Sequence, residues 1–295
     1  MQLCAPLTSI DFDACYQLRW QVLRAPWQQP PGSERDELEA DAWNLMVKDQ
    51  DQVVATGRLH ESAPGIGQIR YMAVAPGQQG KGLGGMILRG LLALADSLGL
   101  NKIELNAREA ALPFYQRAGF ELLGPSHLLY GQIPHFKMQI ALAGEGAEKA
   151  ARLTTLWHQT IPMAKFMGLR AQAFNSEQLI CQAPFDNNSN LHGTLFAGSH
   201  YALATLTAWG SVWWQMQSLG VEGDIVLAHG DIHYPQPMTQ APLMMSLPNT
   251  KDSWHALAAL KDGQRARVNV GSVLVDTSNG KIVSAFEGRF VVLPH

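Results

Sequence analysis

Gln79-Gly80-Lys81-Gly82-Leu83-Gly84 lies between two apolar runs of different character. Ile69-Arg70-Tyr71-Met72-Ala73-Val74, before it, reads as a strand, and residues 86–94, after it, read as a helix. A glycine-rich turn at such a junction leaves the first helical N–H groups without intrahelical acceptors. These donors, with the positive end of the helix dipole, suit a pyrophosphate. Glycine lets the phosphates approach the backbone closely. Taken alone, the turn also fits an unliganded strand-to-helix connection.

Its neighbours narrow the choice. Gln79-x-x-Gly82-x-Gly84 resembles the Gln/Arg-x-x-Gly-x-Gly/Ala signature of the GNAT acyltransferases. Asn106 follows at the end of a short strand, and Pro113-Phe114-Tyr115-Gln116-Arg117-Ala118-Gly119-Phe120 is similar to the second signature of that family, in order and spacing. The resemblance implies a GNAT fold, a mixed sheet with flanking helices, and acetyl-CoA as ligand and acyl donor. It puts the CoA pyrophosphate on Gln79, Gly80, Lys81, Gly82, Leu83 and Gly84, with Met72, Val74, Asn106 and Phe114 as further CoA contacts. Tyr115 matches the position that protonates the CoA sulfur in many members; the alternative is a helix residue packed beside CoA. Direct transfer to an amine also needs a base. His60 and Glu61 are candidates, and a solvated strand end is the plainer reading of both.

The chain has 295 residues, enough for about two domains. Charged residues make up 16% and the net charge is −3, with no long basic block, so nucleic acid is not an expected partner. Cys4, Cys15 and Cys181 lack metal or redox spacing and suit free thiols in a reducing cytosol. The first six residues lack the basic start and apolar core of a signal peptide.

In the first half, residues 11–24 carry a helical pattern, which Pro26, Pro30, Pro31 and Gly32 end. Residues 33–42 are acidic and helix-prone. Strands are expected at 43–48, 53–60 and 132–142. Residues 143–150, small and polar, read as a linker, which gives domains 1–145 and 146–295.

In the second half, a helix is expected at 147–158 and a second short element at 163–168, then strands at 169–174 and 178–183. From Asn187 to Val221 there is no Asp, Glu, Lys or Arg. Residues 194–219 form a helix apolar on nearly every face, as a wrapped core helix must be. Ser199, His200, Gln215 and Gln217, without basic flanks, argue against a membrane span. Strands follow at 225–234, 243–247, 255–260, 266–275 and 282–293, with Asn279-Gly280 as a hairpin turn. This is the order of a hotdog fold, an antiparallel sheet wrapped around a long helix. His229, Asp231 and His233 share one strand face, and alternating polar residues explain them better than a metal does.

Asn187, Asn188, Ser189, Asn190 and His192 crowd the start of the long helix, more polar residues than a cap requires. Hotdog thioester enzymes place backbone N–H groups there, which in this chain would be those of Gly193 and Thr194, beside His192, facing a thioester carbonyl. Thioester hydrolysis commonly uses a carboxylate base, which residues 187–221 lack. Decarboxylation of a malonyl thioester needs none. Trp157-His158-Gln159-Thr160-Ile161-Pro162, Asn190-Leu191-His192, Leu206-Thr207-Ala208-Trp209-Gly210 and Gly223-Asp224-Ile225-Val226-Leu227-Ala228 resemble the YiiD-type C-terminal domain. That family was first described as thioesterases, and some members are malonyl-acyl-carrier-protein decarboxylases that supply acetyl-carrier for fatty acid initiation. The resemblance implies Asn190 as the catalytic asparagine, malonyl-acyl-carrier protein or malonyl-CoA as substrate, and a homodimer through the hotdog domain. An acyl-thioesterase, or a non-catalytic thioester sensor that dimerises the GNAT domain, are the other readings. No metal and no membrane partner are expected.

Overall fold

A computed structural model describes residues 1–249, 254–276 and 281–295. The chain divides into two compact units: Met1–Pro6 with Asp11–Ala147, and Leu7–Ile10 with Glu148–His295.

Up to residue 141 the elements are β1 (Gln2–Cys4), α1 (Ser9–Leu23), β2 (Trp43–Asp49), β3 (Gln52–Ala63), β4 (Ile66–Val74), α2 (Leu83–Ser97), β5 (Lys102–Arg108), α3 (Leu112–Arg117), β6 (Glu121–Leu129) and β7 (Ile133–Ala141). The strands form one mixed sheet in the order β1-β2-β3-β4-β5-β7-β6. Leu83, Ile87, Leu91 and Leu94 recur at helical spacing and bury one face of α2. That face packs on β2, β3 and β4, whose Leu45, Val47 and Leu59 are also buried. Each such side chain contributes about 1.5–3 kcal/mol on full burial.

Two irregularities of β4 shape the sheet. It pairs with β5 in parallel only at Ile66↔Lys102, Gly67↔Ile103 and Gln68↔Glu104; beyond Gln68 the strands part. Against β3 the register gains one residue between Arg70 and Ala73. Tyr71 takes up this bulge with φ of +56°, a conformation strained for a residue with a side chain. Gly57 opposite must lack a side chain, since a Cβ there would lie 2.6 Å from Met72 Sδ.

Residues 33–42 are turns and bends rather than a helix. Their carboxylates serve the interior instead: Asp36 and Glu39 pair with Arg58, and Glu39 also with Arg19, both arginines fully buried. Sequence reading missed β1 and β6. The expected linker is also structured. The Asp96 carboxylate accepts N–H bonds from Gly144 (2.6 Å) and Gly146 (2.7 Å), and a helix, α4, runs Glu145–Thr160.

In the second unit α4 is followed by α5 (Pro162–Met167), β8 (Arg170–Phe174), β9 (Leu179–Gln182), α6 (Ala197–Leu219), β10 (Asp224–His233), β11 (Leu243–Ser246), β12 (Ala266–Asp276) and β13 (Lys281–Leu293). The strands form an antiparallel sheet in the order β10-β13-β12-β11-β9-β8. α6 packs along it, with Leu203, Ala204, Ala208 and Val212 fully buried. No residue of α6 from Ser199 to Gln217 is exposed, which accounts for its all-round apolar sequence. Gly210 lets the Trp157 indole approach; a Cβ there would lie 2.5 Å from Trp157 Cζ2. This is the expected hotdog arrangement.

Two expected features change and one falls outside the description. Residues 256–262 form a 3₁₀ helix, not a strand, burying Leu257 and Leu260 three residues apart. α6 starts at Ala197, three residues later than its apolar pattern suggests. The Asn279-Gly280 turn lies outside the described residues. Among the described residues no helix is long and apolar enough to cross a membrane.

Candidate active sites

The turn before α2 has the features its sequence suggests. Gly80 and Gly82 hold φ of +77° and +79°, the left-handed region that favours glycine. A Cβ on either would meet nothing within 4 Å, so the space beside the turn is open. Gly82 caps α2, and the first intrahelical bond runs from Met86 N–H to Gly82 O at 3.0 Å. The amides of Leu83 and Gly84 therefore have no intrahelical acceptor. Gln79 Nε2 donates to Val74 O (3.3 Å), and Lys81 Nζ to Gln78 Oε1 (2.8 Å). Phe114 and Val74 flank Gly84, whose Cβ position lies 3.6 Å from the Phe114 ring. This donor set and open cradle fit a pyrophosphate.

The parting of β4 from β5 opens a cleft of about 450 Å³. Met72, Asn106 and Tyr115 line it, so three of the sequence-expected residues meet there. Tyr115 lies edge-on to Phe114 (4.9 Å) and Phe120 (5.7 Å). Burial pushes its hydroxyl pKa well up, so it stays protonated. His60 and Glu61 do not line the cleft. His60 is buried beside Arg58, and Glu61 accepts the Gly65 N–H in the next turn.

Other residues do line it. Arg24 directly follows α1, Arg70 and Tyr71 come from the β4 bulge, Arg108 from β5, His127 from β6 and His135 from β7. Arg19, Arg24, Arg58 and Arg70 all lie within 5.5 Å of the Tyr71 ring centroid. Such contacts stabilise a cation against an aromatic face. The Tyr71 hydroxyl donates to Asp36 Oδ2 at 3.1 Å. His135 is buried, stacks on His127 at 4.8 Å, and places Nδ1 3.1 Å from the Ile133 carbonyl. A carbonyl only accepts, so Nδ1 carries the hydrogen and Nε2 keeps its lone pair. Burial, with His127, Arg108 and Arg24 nearby, lowers the His135 pKa. The ring is therefore neutral at pH 7. These side chains come from five separate parts of the chain, and no local motif joins them.

In the second unit the loop before α6 is bound up in itself. Asn187 and Asn188 donate to the Phe166 and Met167 carbonyls (both 2.8 Å), and Ser189 Oγ to Asp186 O. Three of the crowded polar residues thus fasten the loop. Asn190 Oδ1 accepts the N–H groups of His192 (2.9 Å) and Thr194 (3.3 Å). Gly193 N–H bonds Asn190 O at 3.1 Å. The amides of Gly193 and Thr194 are therefore engaged, contrary to the expectation that they point outward. The true start of α6 supplies the replacements: its first intrahelical bond is His200 N–H to Phe196 O (3.0 Å), so the Ala197, Gly198 and Ser199 amides have no intrahelical acceptor and no partner among the described residues. Asn190 Nδ2 donates to Thr194 Oγ1 (3.0 Å) and has a second hydrogen for a ligand. His192 is exposed.

His200 pairs with Ser284, not with Ser199: Nδ1 lies 3.1 Å from Ser284 Oγ, and both residues are buried. Burial lowers the His200 pKa to about 4, which makes it a weak base. This pair joins α6 to β13 and does not resemble an accessible nucleophile with its base.

Comparison with known proteins covers both units. Residues 12–120 match the family described as "Acetyltransferase (GNAT) family", and residues 150–294 the one described as "Putative thioesterase (yiiD_Cterm)". The uncharacterized N-acetyltransferase YjcF of Bacillus subtilis is 32% identical over 126 residues, 43% of this chain and 89% of that protein. A thioesterase-type crystal structure from Shewanella oneidensis is 41% identical and spans 50% of this chain and 99% of its own, with a TM-score of 0.46. An acyl-CoA N-acyltransferase from Pseudomonas aeruginosa is 27% identical over 47% of this chain and 98% of its own, with a TM-score of 0.43.

Proposed function

Because the chain belongs to the GNAT acetyltransferase family over residues 12–120 and to the YiiD-type thioesterase-like family over residues 150–294, we propose that it handles two thioesters, one in each unit. The first unit transfers an acetyl group from acetyl-CoA to an amine. The observation that carries this is the open glycine turn at the N-terminus of α2 beside a cleft lined by Tyr115 and His135. The amides of Leu83 and Gly84 hold the pyrophosphate, with Gln79, Gly80, Lys81 and Gly82 around it and Val74 and Phe114 beside them. Met72 and Asn106 position the thioester arm. Acetyl-CoA supplies the acyl group. The amine nitrogen forms a bond to the thioester carbon, and the carbon–sulfur bond breaks. His135 Nε2 takes the proton the amine loses, and Tyr115 gives its hydroxyl proton to the departing sulfur.

For the second unit we infer decarboxylation of a malonyl thioester carried on an acyl-carrier protein or CoA. Support comes from the amides of Ala197, Gly198 and Ser199, which have no intrahelical acceptor at the start of a helix, in a stretch without a carboxylate base. The spare Asn190 N–H orients the malonyl carboxylate. His192, Gly193 and Thr194 hold the Asn190 loop in place around the substrate. The bond to the carboxyl carbon breaks, CO2 leaves, and the electron pair moves onto the thioester oxygen as an enolate. The helix amides stabilise that oxygen, and a proton from water then completes the acetyl thioester. Among the described residues β10, ten residues long, lies at an edge of its sheet and suits sheet continuation with a second copy.

Purified protein with malonyl-carrier separates the readings by mass analysis. Acetyl-carrier with CO2 is the expected product. Free carrier thiol without acetyl-carrier would establish the thioesterase instead, and no turnover the sensor.

A further inference from the structure

Three arginine side chains line the first unit's cleft. Among the described residues its lining contains Arg24, Arg70 and Arg108, with His127 and His135, and no Asp or Glu. Arg70 is matched by Asp36 at 2.8 Å. Among the described residues the Arg24 side chain donates only to carbonyls, Ser33 O at 2.8 Å and Leu23 O at 3.3 Å. Arg108 lies over the Trp27 ring at 5.9 Å, and among the described residues it has no carboxylate partner. Both Arg24 and Arg108 are half-buried. Elsewhere in this unit the buried guanidinium groups of Arg19 and Arg58 have carboxylates. Burying charge without a counter-ion costs free energy. Arg24 and Arg108 line the same cleft, and burial first, then repulsion from the Arg24 charge, lowers the Arg108 pKa. A cationic or neutral amine would leave this repulsion in place; an anionic group between them would remove it.

We propose that the acetyl acceptor is a small amine that also carries a carboxylate or phosphate, held by Arg24 and Arg108 so that its nitrogen faces His135. This rests on the acetyl-transfer reading above. The same cationic wall disfavours the ammonium form of the acceptor and so assists loss of its proton.

The test uses the full chain with matched amine pairs: β-alanine against β-alaninamide, and glucosamine 6-phosphate against glucosamine. At least one anionic member should exceed its neutral partner by about tenfold or more in kcat/KM. The pair that responds tells carboxylate from phosphate. Arg108→Gln should remove the preference, and Arg108→Lys should keep part of it, with acetyl-CoA affinity unchanged in both. If no amine turns over, calorimetry with inorganic phosphate on the acetyl-CoA-saturated protein decides. Phosphate should bind the wild type and lose about tenfold in Arg108→Gln. A preference for neutral or cationic amines, or phosphate binding indifferent to Arg108, overturns the proposal while leaving acetyl transfer intact. Failure to bind acetyl-CoA overturns the underlying reading instead.

Discussion

The Asn190 carboxamide and the Thr194 side chain close on each other, Nδ2 to Oγ1 at 3.0 Å and Oδ1 to the Thr194 N–H at 3.3 Å. Asn190 thus has a structural oxygen and a nitrogen with one hydrogen to spare. Asn190→Asp keeps the acceptor that holds His192 and Thr194 but replaces the donor with a negative charge. The loop should remain formed, so the melting temperature should change little. Malonyl turnover should fall by about a hundredfold or more, through the lost donor and repulsion of the substrate carboxylate. Hydrolysis to free thiol that holds or rises in the mutant would favour the thioesterase.

Gly82→Trp tests the phosphate turn. Open space surrounds the Cβ position, so the indole would occupy the region assigned to pyrophosphate. The left-handed φ of +79° adds about 1 kcal/mol of strain, which a folded unit tolerates. Calorimetry should show acetyl-CoA binding abolished while malonyl turnover survives. Unchanged affinity in a folded mutant removes the assignment.

The buried Arg58 pairs with Asp36 and Glu39. Arg58→Met keeps the stem and leaves two carboxylates short of a partner, at about 3–5 kcal/mol. Burial acts to raise the Asp36 pKa, but the Arg58 hydrogen bond and charge outweigh it and hold it at about 2, below the ordinary 3.8. A lowered carboxyl pKa stabilises the fold above the unfolded value and loses that contribution as pH falls through the folded one. Wild-type melting temperature should therefore drop between about pH 4 and pH 2, and the mutant should lack most of this slope.

Much of the fold is legible in the sequence because each long element has one strong period. α2 and α6 present unbroken apolar patterns, and β12 and β13 long β-branched runs. Residues 33–42 mislead because Glu, Leu and Ala favour helix locally, while the buried arginines claim the carboxylates. β6 is missed because most of its residues are exposed, so no alternation marks it. The helix start at Ala197 is hidden because Leu195 is buried like Leu203 in the helix, although it belongs to the loop and its N–H bonds Met238 O.

The sites divide in the same way. The glycine turn is legible because its chemistry is in the backbone of six consecutive residues. The polar crowd at residues 187–192 is legible as unusual, but only the hydrogen bonds reveal that Asn187, Asn188 and Ser189 fasten the loop. The arginine and histidine cluster of the first cleft is invisible in one dimension, since Arg24 and His135 are brought together only by folding.

The two units should fold separately. Trp157 and Leu153 of α4 are fully buried in the core of the second unit, whereas the Asp96 clamp on Gly144 and Gly146 belongs to the first. A fragment from residue 148 onward keeps Trp157 and Leu153 and should be folded, dimeric by sedimentation and active on the malonyl thioester. Expression only as aggregate would place the boundary elsewhere.

The His135 assignment is tested by pH. Burial is the first cause of a pKa below the ordinary 6.5, with the charges of His127, Arg108 and Arg24 adding to it. The base is the neutral ring, so activity must be low where His135 is protonated and rise as pH climbs through the lowered value. At saturating acetyl-CoA, kcat/KM for the acceptor should rise with pH on the acid side of 6.5 and no longer be limited by His135 at pH 7. His135→Gln removes the base and should cost about a hundredfold or more in kcat while erasing that limb of the profile. Its acetyl-CoA affinity should not change, because the glycine turn is untouched. A mutant that loses rate but keeps the same pH limb would show that another group takes the proton and that His135 only supports the cleft.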